Sequence, residues 1–268
     1  MKVGIYQFSP QWGEVNKNLE KIYNKLTDYS GVELWILPEL CTTGYQFASL
    51  EELEQLAENF PEGKTAKQML QLTKAKQNAV ILGVLEKAKE GFYNSVAVFE
   101  KGKFRGIYRK IHLFYKEKKF FLPGNEKPKV YDIMGAKIGL MICFDWIYPE
   151  VARSLALQGA ELIAHSTNLV MPYCQEAMVT RSIENRVFTA IANRIGWENR
   201  DGEKLTFTGK SQITDYRGNR VAQLKMDEEN TLIADLDLPL AKDKNITPLN
   251  HLFDDRRPDL YKLKECDD

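Results

Sequence analysis

A thiol, a carboxylate and an amine stand where side chains of an α/β chain can react. Cys143 closes the apolar run Ile138-Gly139-Leu140-Met141-Ile142 and precedes Tyr148-Pro149-Glu150, where proline suits the first turn of a helix. A strand-to-helix turn exposes its side chain and aims backbone N–H groups at it. Those donors favour thiolate and can hold an oxyanion. Glu39 ends Trp35-Ile36-Leu37-Pro38-Glu39, and a carboxylate closing an apolar strand costs free energy unless paired or used. Lys110 lies in Tyr108-Arg109-Lys110-Ile111-His112-Leu113. Singly, each has a bland reading: an inert buried thiol, a capping or ion-paired glutamate, a solvated lysine. Only together with their flanking residues do the three gain weight as a possible site.

Other chemistries find little support. Gly209-Lys210-Ser211 looks like the end of a phosphate loop, but that loop needs a glycine at 204, where Lys204 stands. Neither GxGxxG nor GxSxG occurs. The histidines, His112, His165 and His251, have no HxxxH spacing, and the cysteines are scattered, so neither a metal site nor a cofactor is expected. Lys plus Arg equals Asp plus Glu, 37 against 37, which removes the electrostatic case for nucleic acid or an anionic membrane. No apolar run approaches the roughly 18 residues of a spanning helix, and the N-terminus does not read as a signal peptide. Cys41, Cys143, Cys174 and Cys266 form no CxxC pair and read as reduced thiols, so the expected location is cytoplasmic.

The elements that must position these groups follow from periodicity. Residues 3–8, 34–37, 79–85, 95–99, 138–142 and 162–164 read as strands, the 34–37 run being apolar at every position as in a strand covered on both faces. Residues 16–29, 64–77, 149–158 and 175–188 carry apolar residues at helical spacing, with Asn16 as an N-cap and Gly159 as a stop. Alternation of the two predicts α/β architecture. Residues 211–238 return to strands with a turn at Gly218-Asn219, and 242–268 read as a charged, extended tail. Without an internal repeat or linker, 1–268 reads as one domain.

Three segments resemble the signature blocks of the nitrilase superfamily, in that family's order: Leu37-Pro38-Glu39-Leu40 with Thr43-Gly44-Tyr45, Tyr108 to Leu113, and Gly139 to Asp145 with Pro149-Glu150. The resemblance implies a four-layer αββα sandwich and a Glu39, Lys110, Cys143 triad. It adds Glu117, which precedes the stretch Phe120-Phe121-Leu122-Pro123-Gly124. It implies cysteine-dependent hydrolysis of a small amide through a thioester, or of a nitrile, by a homodimer or higher oligomer. The helix bearing Arg181, Glu184 and Arg186 is similar to the segment that makes the family's dimer contacts. Tyr45, Phe144, Trp146, Asn168 and Tyr173, near strand ends, are candidates for a substrate pocket, with the Phe144 N–H as an oxyanion donor. Cys41, Cys174 and Cys266 read as spectators, and His112 as a hydrogen-bonded structural residue. A non-catalytic assembly module and a redox-sensing thiol are the competing classes.

Overall fold

The computed structural model describes residues 1–261; Cys266 lies outside them. Strands β1 (Lys2–Gln7), β2 (Leu34–Ile36), β3 (Ala79–Lys87), β4 (Phe92–Glu100) and β5 (Lys103–Arg109) belong to a first sheet. Helix α1 (Val15–Thr27) joins β1 to β2, and α2 (Leu50–Leu56) and α3 (Lys64–Lys76) join β2 to β3. A second sheet begins with β6 (Val130–Ile133), β7 (Ala136–Ile142), β8 (Leu162–Thr167) and β9 (Phe188–Asn193), crossed over by α4 (Pro149–Leu157) and α5 (Cys174–Asn185). A separate hairpin, β10 (Trp197–Arg200) and β11 (Glu203–Thr206), precedes β12 (Gln212–Thr214) and β13 (Arg220–Gln223) of the second sheet. Strand β14 (Asn230–Asp235) then returns to pair with β1.

The rows run β14-β1-β2-β3-β4-β5 and β6-β7-β8-β9-β12-β13. Both read antiparallel, parallel, parallel, antiparallel, antiparallel. Parallel neighbours need crossovers, which is where the helices fall.

Side-chain alternation sorts the layers. Leu34 and Ile36 enter a core between the sheets with Val3, Ile5, Ile81, Ile138 and Leu140. Trp35 and Leu37 point the other way, onto Ile22 and Leu26 of α1 and Met69 and Leu72 of α3. Helices α4 and α5 cover the second sheet through Val151, Leu155 and Met178. The result is the expected αββα sandwich.

Local readings need three corrections. Asn16 lies inside α1; Glu14 is its N-cap, with no side-chain cap bond. The helix expected over 175–188 stops at Asn185, because Arg186 takes a left-handed φ of 46° and Phe188 must pair with Leu162 in β9. Residues 242–261 are not a bare extended tail: β15 (Asn245–Thr247) and β16 (Asn250–His251) form a hairpin. Lys244 Nζ holds this segment by donating to Asn185 O at 3.0 Å and Arg186 O at 2.8 Å, the carbonyl end of α5. Charge capping leaves no apolar period to read. Gly159, at φ +89°, does stop α4, and Gly218 at φ +87° sits in a turn that Asp215 closes. Among the described residues no helix is long and apolar enough to cross a membrane.

Candidate active site

Cys143 leaves β7 with φ +38°, a strained value for a residue with a side chain, and opens a short 3-10 turn that runs to Ile147. Two buried groups hold it there. Asp145 Oδ2 accepts from Ile142 N at 2.9 Å and from Tyr108 Oη at 2.8 Å, while its Oδ1 lies 2.8 Å from His112 Nδ1. His165 Nε2 lies 3.0 Å from the Cys143 carbonyl, and since a carbonyl only accepts, Nε2 carries the proton. Burial pushes the His165 pKa down to about 4, so the ring is neutral around pH 7.

Glu39 follows β2 and turns inward because β3 passes very close beneath it. A Cβ at Gly83 would lie 2.4 Å from Glu39 Cα, so only glycine admits this approach. Lys110 follows β5, and Glu117 lies in a 3-10 turn (Tyr115–Lys119) a few residues on. The three side chains meet. Lys110 Nζ donates to Glu39 Oε1 and Glu117 Oε1, each at 2.7 Å, with Lys110 and Glu39 fully buried and Glu117 nearly so. Asn94 Nδ2 donates to the same two oxygens at 2.7 and 3.4 Å. Glu117 Oε2 accepts from Phe114 N at 2.8 Å. Glu39 Oε2 alone of the four carboxylate oxygens is buried without a partner.

The electrostatics follow from two carboxylates on one ammonium in a dry site. Burial opposes the Lys110 charge, but Glu117, Glu39 and the Cys143 thiol outweigh it and raise its pKa. Burial, and then the Glu39 charge, raises Glu117 against the opposing pull of Lys110. The Cys143 thiol is pushed well up by burial first and by Glu39 second; Lys110 and a backbone N–H bond from Asn168 pull the other way without prevailing. Burial therefore outweighs the cation beside it, and Lys110 does not bring the thiol below its ordinary range.

The pocket candidates divide. Phe144, Trp146 and Asn168 line a small pocket at Cys143 with Phe114, Leu169 and Met171. The Asn168 carboxamide is buried with neither its oxygen nor its nitrogen partnered. Tyr45 is buried in the wall of a second small pocket across Phe114, which Glu117 also lines. Tyr173 is not brought in; it caps the start of α5, 61% exposed. Cys41 and Cys174 are buried away from the cluster, the Cys41 thiol donating to Gly83 O at 3.4 Å. Arg181 pairs with Glu184 at 3.1 Å, whereas Arg186 turns to Asp243. Asn94, Asp145 and His165 carried no signal as site residues in the sequence: Asn94 stands just before one strand run, Asp145 lies inside a block already credited to cysteine, and His165 follows an apolar run.

The family described as carbon-nitrogen hydrolase matches residues 2–244. This chain belongs to it. The hydrolase is 42% identical over 263 residues to a protein named nitrilase from Pyrococcus abyssi, covering 97% of this chain and 99% of that one. It is 35% identical to N-carbamoylputrescine amidase from Solanum lycopersicum, over 87% and 84% of the two chains. The solved carbon-nitrogen hydrolase from Helicobacter pylori G27 superposes with a TM-score of 0.88 at 28% identity, covering 97% and 96%. Enzyme class and fold are those the three sequence blocks implied.

Proposed function

We propose that this hydrolase cleaves a small amide to a carboxylic acid and ammonia or amine through a thioester on Cys143. The observation that carries the reading is Glu39 Oε2, a buried carboxylate oxygen left open in a cluster that bears directly on the Cys143 thiol. Glu39 takes the thiol proton as sulfur attacks the carbonyl carbon. The displaced π electrons go to the carbonyl oxygen, where the Lys110 ammonium and a backbone N–H of the Cys143 turn stabilise them. Collapse breaks the C–N bond, and the amine leaves with the proton from Glu39. Glu39 next deprotonates water, which attacks the thioester. The second collapse expels thiolate, and Glu39 returns the proton to it. Glu117, with its oxygens already bonded, keeps Lys110 in place.

Nitriles are the second reading, favoured by the name of the Pyrococcus abyssi relative. A retired site would have no reason to keep Glu39, Lys110, Glu117 and Cys143 together out of water, which argues against a non-catalytic module. An ammonia-release screen over small amides, N-carbamoyl compounds and nitriles tests the reading. Release from amides that vanishes in Cys143→Ala is expected; no release from any amide would overturn it.

Exposed Ile147, Tyr148 and Ile183 around the Arg181–Glu184 pair support a homodimer through this face, to be read as a doubled mass by light scattering. Three unpaired thiols among the described residues support a reducing, cytoplasmic setting, which cell fractionation would check.

A further inference from the structure

A second buried ion pair lies outside the machinery just described. Arg194 follows β9 and is fully buried; its guanidinium pairs with Glu198 of β10 and lies 3.9 Å from the centre of the Phe207 ring. Arg194 also donates to Pro10 O at 3.4 Å and Ile195 O at 3.3 Å. Glu198 spends its carboxylate on backbone. Oε1 and Oε2 each accept from Tyr45 N at 3.1 Å, and Oε2 accepts from Gln46 N at 2.7 Å.

Those two amides belong to the loop that starts at Glu39. Thr43 N and Gly44 N both fold back onto Leu40 O, at 3.2 and 3.0 Å, so the loop is one tight unit. Gly44 is needed there: it has φ +91°, and a Cβ would meet Trp12 at 2.7 Å and Glu198 Oε1 at 3.1 Å. Arg194 reaches Tyr45 by a second route as well. The other neighbour of Phe207 is the Tyr45 ring, edge-on at 6.0 Å. The buried Tyr45 side chain lines the same hollow as Glu117, and its hydroxyl feels Glu117, Glu39 and Cys143.

We infer that Glu198, locked by Arg194, is a positioning residue: it fixes the loop so that the Tyr45 side chain is held beside Glu117 and keeps the Lys110 cluster in register with Cys143. The inference rests on the proposed amide hydrolysis. A hydroxyl dipole beside Glu117 offsets part of the negative charge that Lys110 shares with two carboxylates. Losing the loop anchor moves that dipole without altering Glu39, Lys110, Glu117 or Cys143 themselves.

The test compares Glu198→Gln, Tyr45→Phe and the double variant with the wild-type hydrolase on whichever amide the screen identifies. Glutamine keeps the shape of Glu198 but accepts with one oxygen, and phenylalanine removes only a hydroxyl. In both single variants kcat should fall about tenfold or more, with KM little changed. The double variant should lose no more than the worse single one, because both act through the same contact. Additive losses would overturn the inference, as would a raised KM at unchanged kcat in Tyr45→Phe, which marks a substrate contact. Far-UV circular dichroism separates loss of fold from loss of position. If Glu198→Gln does not fold, Tyr45→Phe decides alone, and wild-type kcat there ends the proposal. Alkylation of Cys143 by iodoacetamide at fixed pH needs no substrate, so it still decides if the wild type releases no ammonia. Both single variants should react more slowly, and unchanged rates would overturn the inference while leaving the failure of the amide reading separate.

Discussion

Two buried charge clusters sit at opposite ends of the loop that begins at Glu39, and they are built by opposite rules. At one end a single ammonium, Lys110, serves two carboxylates, and Glu39 Oε2 and Asn94 Oδ1 are left with no partner. At the other end one guanidinium meets one carboxylate, and both Glu198 oxygens are bonded to Arg194 or to backbone amides. Depth does not distinguish them, since Lys110 and Arg194 are equally out of reach of water. Unfilled hydrogen-bonding capacity does. The Arg194 pair closes on itself, whereas the cluster proposed to react keeps an atom open, as a proton carrier would need.

Substitutions can break or sharpen that contrast. The largest effect belongs to Cys143→Ala, which should lower amide hydrolysis by about 10⁶-fold, as expected for removal of a nucleophile. Cys174→Ala should leave turnover unchanged. Ammonia release measures both, and retained activity in Cys143→Ala would mean that another group attacks.

Next comes stability. Glu198→Ala strands the Arg194 charge and two backbone N–H groups, and should cost about 3–5 kcal/mol in urea unfolding. Glu39→Gln removes a charge whose outer oxygen had no partner, so it should unfold no more easily than wild type while losing turnover. Equal destabilisation of the two variants would erase the distinction between the clusters.

Lys110→Arg keeps the charge and changes its shape. A planar fork cannot occupy the place of a compact ammonium 2.7 Å from two carboxylates without displacing them. Turnover should fall on the order of 10²–10³, or about 3–4 kcal/mol, with the circular dichroism spectrum preserved. Near wild-type turnover would remove Lys110 from the chemistry.

The smallest effect is a pH dependence carried by His165. Burial holds its folded pKa at about 4, below the ordinary value of 6.5. Between those values the unfolded chain binds a proton that the folded chain refuses, so stability is lost as pH falls through that window. About 3 kcal/mol is at stake, present above pH 6.5 and gone near pH 4. Urea midpoints at several pH values, for wild type and His165→Gln, should show a flatter acid slope in the variant. Identical slopes would place the acid lability elsewhere.

Much of this was legible along the chain. Runs such as Leu34 to Leu37 declare a strand covered on both faces, and the structure sends alternate members to the two cores. Glu39, Lys110, Cys143 and Glu117 could be named because each stands in a local block. Asn94 could not: it is a polar residue near the start of β4, and its importance comes only from what folding brings beside it. The hairpin at 245–251 was hidden because a lysine on helix carbonyls, not an apolar period, holds it in place.

The sequence by itself determined the periodicities, the strand ends and the inventory of reactive groups, because these depend on neighbours a few residues apart. Only the tertiary structure decided which groups meet in a cluster with an oxygen left open and which close a charge completely. Lys110 and Glu39 are 71 residues apart and Tyr45 and Glu198 are 153 apart, so each partnership is set by strand register and sheet packing. Whether an oxygen is open or filled depends on every element that reaches it, and that sum over distant segments has no local trace in the chain.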